Sequence, residues 1–398
     1  MSPVSPTYEA EFPSLKSRHY LNWAAVGVPP LRAVGAVRSV LDAVESSPEA
    51  ASSPEAVGAA KEEARAQLAP LLGCSPEQVV FTGTSTTSAV QEAVDSIPFQ
   101  RGDNAVILDM DFPLFHAEAY RLRARGVEVR VVRSQDGDYE PEGLYEVVDR
   151  RTRALLMSSV IWVSGARLDV EEFAKVAHEA EAYVVVDAIQ QAGALRPRGL
   201  DRADFVAFGT QKWLLSPFGL GGMCVSRRAV EELQPPRPGY SNAPVRDWDA
   251  YWLDPNKAPF YVDPFKADSP LKFEYGGFIP VMPFRAAASA ASLINEVSIE
   301  GVEAQVMRLR RALVEVLEDL RADVLSPPEQ SKASGIVLFR LGDSVRQAQD
   351  AVRRLAARGV VITARGAAGV WGMRASVHFP NREEDVEALG EALRELRE

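Results

Sequence analysis

Two residues have the type and setting for covalent chemistry. Lys212 lies four residues beyond Phe208, at the end of the apolar run FVAF, and Asp187 closes the run YVVV. A lysine held where strands end can become a neutral amine and attack a carbonyl carbon to form a Schiff base. An aspartate at the carboxyl end of a parallel strand sits in the crevice where α/β sheets bind ligands. There it can keep a pyridine nitrogen protonated, so that the ring draws electrons from a substrate α-carbon. Each residue also has an ordinary reading, Asp187 as a helix cap or turn residue and Lys212 as a solvated side chain.

Two further segments fit the same chemistry. FTGTSTTSAV sets Gly83, Thr84, Ser85, Thr86 and Thr87 between a strand and a helix, and the free amides and hydroxyls of such a helix start suit a phosphate dianion. A plain Ser/Thr N-cap is the alternative. Neither GxxxxGK nor GxGxxG occurs, so nucleotide binding has no support. In GMRASVHF, strand alternation puts Arg374, Ser376 and His378 on one face and Met373, Ala375, Val377 and Phe379 on the other. An arginine there can clamp a carboxylate through two parallel hydrogen bonds, or simply be solvated.

Positioning these residues requires a sheet. Short β-rich runs recur at 79–81, 105–108, 127–132, 154–157, 183–186, 205–208 and 223–225, with amphipathic segments between several of them. That alternation predicts a mainly parallel sheet of seven strands buried between helices. Asp169 followed by Glu172 predicts a capped helix start, with Phe173, Val176, Ala177 and Ala180 on its apolar face. From 235 to 270 the composition turns to Pro, Trp, Tyr and Asp, a long irregular excursion. Beyond it, helices at 286–300 and 302–320, a strand at 373–379 and a last helix bearing Val386, Leu389, Leu393 and Leu396 predict a smaller α+β domain. The expected division is an N-terminal arm over 1–30, a large domain over 31–272 and a small domain over 273–398.

The 398 residues suit more than one hydrophobic core, and the net charge of -11, spread along the chain, argues against nucleic acid or an anionic membrane as partner. Cys74 and Cys224 stand far apart without a CxxC or histidine cluster, which indicates neither a disulfide framework nor a metal site. No targeting segment or membrane span is visible, so a cytoplasmic protein acting on a small molecule is expected.

The ordered set YLNWAAVG, FTGTSTTSAV, DMDFP, VVVDAIQ, FGTQKWLLSPFGLGGM, KFEYGG and MRASVHFPNREEDVEAL spans nearly the whole chain. It resembles the fold-type I pyridoxal phosphate enzymes, in the class V aminotransferase and cysteine desulfurase group that includes isopenicillin N epimerase-like proteins. The resemblance implies pyridoxal 5'-phosphate as cofactor, with Lys212 as the Schiff-base lysine that also shuttles the proton. It implies Asp187 on the pyridine nitrogen, Gln190 on the phenolic oxygen, and Ser85, Thr86, Thr87 and Thr210 toward the phosphate side. Phe112 would stack on the ring, Arg374 would hold the substrate carboxylate, and Asn22 would line the substrate side. A homodimer with sites near its interface is implied too.

The departures are specific. Gln211, not histidine, precedes Lys212, and TARGAAGVWGMRAS holds no cysteine where desulfurases of the group carry their catalytic thiol. Gly277 replaces a threonine that relatives contribute to the phosphate across the dimer interface, leaving a backbone amide to substitute. Trp162 and Ser164 stand where many relatives have an asparagine, and Arg167 is either a second substrate-facing cation or an ion-pair residue. The expected activity is amino transfer at the α-carbon of a small amino acid. Elimination of the C–S lyase or desulfurase kind, epimerisation, and a non-catalytic binding protein are the alternatives.

Overall fold

The computed structural model describes residues 6–239 and 268–396, together with Leu253. Most of the aromatic stretch expected as irregular, including 240–252, therefore lies outside the described residues. An extended arm carries β1 (His19–Tyr20) and leads into α1 (Leu31–Ser46), α2 (Pro48–Ala51) and α3 (Pro54–Leu72). There follow β2 (Val79–Gly83), α4 (Thr86–Ser96), β3 (Asn104–Leu108), α5 (Pro113–Ala124), β4 (Glu128–Val132) and β5 (Thr152–Ser158). Next come α6 (Val170–Glu179), β6 (Tyr183–Asp187), β7 (Phe205–Gly209), β8 (Gly221–Val225) and α7 (Arg227–Glu232). All seven expected strands form one sheet, in the order β2-β8-β7-β6-β5-β3-β4.

The pairs among β3 to β7 are parallel, whereas β8 runs against both β7 and β2. Because alternate residues of a strand face opposite ways, the sheet feeds two cores. Leu155, Met157, Val184, Val186, Val206 and Phe208 pack on one side with Ala64 and Leu68 of α3 and Phe173 of α6. Ala154, Leu156, Val185, Phe205 and Ala207 pack on the other with Val90 and Val94 of α4 and Phe115 of α5. The expected cap of α6 is present, the Asp169 carboxylate accepting from the Glu172 amide.

A second layer follows two long helices, Val281–Val297 and Ile299–Asp319. It contains β9 (Asp323–Val324), β10 (Ile336–Arg340), β11 (Val360–Val361), β12 (Thr363–Ala367) and β13 (Val370–Ser376). Helices Val345–Ala357 and Glu383–Glu395 cover it. Its antiparallel sheet has the order β12-β13-β10-β9, and β1 of the arm pairs in parallel with β11. The arm then bonds to β13 through Leu21 and Ser376, and reaches the Lys212 loop where the Gly27 amide donates to the Gln211 carbonyl at 2.8 Å. A Cβ at Gly27 would lie 2.0 Å from the Lys212 carbonyl oxygen, so glycine is what lets the arm approach.

One expectation is overturned. Cys74 and Cys224 are joined in a disulfide, with Cα atoms 6.6 Å apart across a sequence separation of 150. Gly73 ends α3 with φ 72°, and the chain turns from it into β2, whose first residue Val79 pairs with Cys224. The turn and the strand register bring together sulfurs that the linear sequence separates. Among the described residues no helix is long and apolar enough to cross a membrane, and no cluster of potential metal ligands occurs.

Candidate active site

The carboxyl ends of β2, β5, β6 and β7 converge with the start of α5 on a cavity of about 240 Å³. Ser85, Thr86, Thr87, Phe112, Ser158, Trp162, Asp187, Gln190, Gln211 and Lys212 contribute to its lining. Such an edge is where open α/β sheets bind ligands. The wider cleft at Arg167 is a different place: Arg167 pairs with Glu303 at 2.7 Å, and Arg196 pairs with the same carboxylate. Arg167 is thus an ion-pair residue.

Burial tunes Asp187 and Lys212. Asp187 is 3% exposed, and one carboxylate oxygen accepts the Ile189 amide at 2.8 Å. Desolvation lifts its pKa to about 6, against the pull of that amide and of the nearby Lys212 charge. Lys212 is lowered to about 8, chiefly by desolvation; Asp187 opposes the shift, while Arg374 and Arg365 add to it. Near neutral pH the amine has ready access to its uncharged, nucleophilic form. The Lys212 Nζ stands 5.7 Å from the centre of the Phe112 ring, which meets Trp162 edge-on at 5.5 Å.

The phosphate-type cradle forms at the N-terminus of α4. Ser85 is its N-cap and accepts from the Ser88 amide; Thr86 is buried and Thr87 exposed. Gly209 lets this loop approach, because a Cβ there would lie 2.6 Å from Thr86 Oγ1 and 2.7 Å from Gln211 Oε1. Both of those oxygens are buried without a hydrogen-bond partner. Asn22 Oδ1 and Arg374 Nε are orphaned in the same way. Buried polar atoms are normally paired, so the orphaned oxygens of Thr86 and Gln211, both in the cavity lining, mark a site built for a polar ligand, while Asn22 and Arg374 lie outside that lining. A phosphate-bearing pyridine carbaldehyde fits this set: hydroxyls and helix amides face one end, an acid with raised pKa another, and an amine stands beside an aromatic ring.

Arg374 is 1% exposed and donates to the Trp162 carbonyl. Its centre lies 6.0 Å from the Trp162 ring, so Trp162 links the arginine to the cavity. Gln190 is fixed by two bonds: its amide nitrogen donates to Ala24 O at 3.1 Å, and its oxygen accepts from the Trp213 indole at 2.8 Å. One amide N–H is left over. Thr210 is fully buried, with its hydroxyl donating to Leu220 O, and it does not line the cavity. Gly277, beside Tyr275, is also away from the cavity lining.

Asp111 was not singled out in the sequence, although DMDFP contains it. It is 1% exposed, accepts from the Ser158 hydroxyl and from the Ser158 and Phe112 amides, and is raised to about 7 by desolvation and the Asp187 charge. Its position directly before Phe112, after a strand, was the available signal. The two cysteines lie outside the cavity lining, so no thiol faces it.

The model of the family described as "Aminotransferase class-V" matches residues 19–389. A cysteine desulfurase of Haloferax volcanii is 30% identical over 363 residues, covering 85% of this chain and 79% of the relative. An isopenicillin N epimerase of Streptomyces clavuligerus is 26% identical over 346 residues, covering 83% of each. Among solved structures, an apo cysteine desulfurase from Thermococcus onnurineus NA1 superposes with a TM-score of 0.85 at 21% identity, over 100% of this chain and 98% of that one.

Proposed function

The chain belongs to the class-V aminotransferase family of pyridoxal phosphate enzymes, and from that premise we propose that it moves an amino group from an amino acid to a 2-oxo acid. The observation that carries the choice is the thiol-free cavity: Cys74 and Cys224, oxidised or reduced, lie outside its lining, so no thiol stands where it could accept a persulfide. When bound, the cofactor supplies an electron sink for charge developing at the substrate α-carbon. Asp187 holds the proton on the pyridine nitrogen, and Asp111 backs it through Ser158, the residue paired with Asp187 across β5 and β6. The free N–H of Gln190 meets the phenolic oxygen.

Ser85, Thr86, Thr87 and the α4 amides hold the phosphate, with Gly277 reaching a neighbouring subunit's site in a homodimer. Thr210 acts by bracing the loop that carries Lys212. Phe112 covers the ring, and Asn22 and Arg374 face the substrate, the arginine clamping its α-carboxylate. Lys212 Nζ then takes the α-proton and returns it, as an amine near its own pKa can do with little cost in either direction. We place the enzyme in the cytoplasm, where cellular thiols can reduce the Cys74–Cys224 bond.

The desulfurases among the relatives favour one second reading, release of a β-substituent, here without a persulfide carrier because no thiol lines the cavity. A panel of amino acids with and without 2-oxo acid separates the two. Oxo-acid-dependent formation of a new amino acid supports amino transfer; ammonia with pyruvate or sulfide, and no need for the oxo acid, overturns it in favour of elimination.

A further inference from the structure

Two arginines stand side by side on β12 and β13, where one substrate carboxylate needs only one. In the β12–β13 ladder Thr363 pairs with Arg374, and Arg365 pairs with Gly372. Paired residues share a face, as do alternate residues of a strand, so Arg365 and Arg374 project from the same face as diagonal neighbours, roughly 7 Å apart at the backbone. Gly372, opposite Arg365, places no side chain over it. Arg374 is buried, with its Nε unpartnered, and among the described residues it donates only to the backbone carbonyl of Trp162. Arg365 is half-buried and donates only to the carbonyl of Ala364. Among the described residues neither arginine has a carboxylate within 4.0 Å, whereas Arg167 and Arg196 in the neighbouring cleft share one.

Like charges side by side on a partly buried face cost free energy unless an anion completes them. Arg365 accordingly holds Arg374 below its ordinary range, after desolvation, and acts on Lys212 as well. Arg374 can bind one carboxylate in a fork, which leaves Arg365 for a second. We propose that Arg365 is a specificity-determining residue, and that the substrate is an α-amino acid carrying a second acidic group on its side chain. This rests on the reading of Arg374 as the α-carboxylate clamp.

Calorimetric titration of the holoprotein with succinate and with butyrate tests the inference without turnover. The diacid is expected to bind about tenfold tighter or more, the size of one charge-assisted hydrogen bond. Arg365→Gln should bring that ratio near one, and Arg365→Lys should restore part of it. The kcat/KM ratio of aspartate to asparagine should follow the same order. A wild-type ratio near one, or a ratio that Arg365→Gln leaves intact, overturns the inference. Absence of a lysine-bound cofactor band would instead sink the cofactor chemistry of Lys212, and the succinate ratio on the same protein would still decide Arg365.

Discussion

Lys212 and Asp187 are placed by the same strand ends and tuned in opposite directions. Asp187 has an ordinary value of 3.8 and is raised to about 6, so the folded chain keeps a proton there that the unfolded chain releases. Between pH 4 and 6 the native state binds more protons, and stability falls as pH rises through that window, by roughly 3 kcal/mol in total. Asp187→Asn in cofactor-free protein should therefore raise Tm at pH 8, with a gain that fades toward pH 4. The same variant should bind the cofactor more weakly. A lower Tm at pH 8 in calorimetry would contradict the assigned cost of burying this carboxylate. Lys212→Ala should lower turnover by roughly 10³-fold or more, in line with loss of a positioned base, and residual turnover near wild type would remove the lysine from the mechanism.

At the scale of elements, the site depends on how closely three loops approach. A Cβ at Gly221 would lie 2.3 Å from Ser85, just as one at Gly209 would meet Thr86. Gly209→Ala should thus weaken cofactor binding by about tenfold or more, consistent with the cost of overpacking a tight contact, while Arg374 keeps its place on β13. Cofactor titration followed by absorbance checks this; unchanged affinity would mean that Thr86 does not face the phosphate. The strands were readable because burial on both faces requires apolar runs, and α6 because Asp169 announces its start. The reversal of β8 was not readable, since an apolar run carries no direction. Nor was the contact of Arg374 with Trp162, separated by 212 residues and created only by the docking of the two layers. Nor does the sequence mark Asp111, since an aspartate before a helix is so often just a cap.

Over the whole molecule, the arm connects the C-terminal layer to the loop that carries Lys212. Trp23 donates to Asn381 at 2.6 Å, Asn381 donates to Tyr20 O at 2.9 Å, and Gly27 meets Gln211. The site is therefore a property of the assembled chain rather than of the large sheet alone. Cys74–Cys224 ties the turn after α3 to β8, the strand next to the sheet's edge, without lining the cavity. Reduction should lower stability by about 2–4 kcal/mol while sparing cofactor binding, to be read from denaturant curves with and without reductant. Equal curves would mean that the bond contributes nothing in solution. Light scattering should give twice the mass of one chain for the holoprotein, and a monomer with normal cofactor affinity would remove the role given to Gly277.

The central claim is that Lys212 carries the cofactor. The most direct test is to reconstitute the protein with pyridoxal phosphate, reduce it with borohydride and map the peptides by mass spectrometry. The account expects the cofactor mass on the peptide containing Lys212, absent from Lys212→Ala. Labelling on another lysine, or on none, would contradict it.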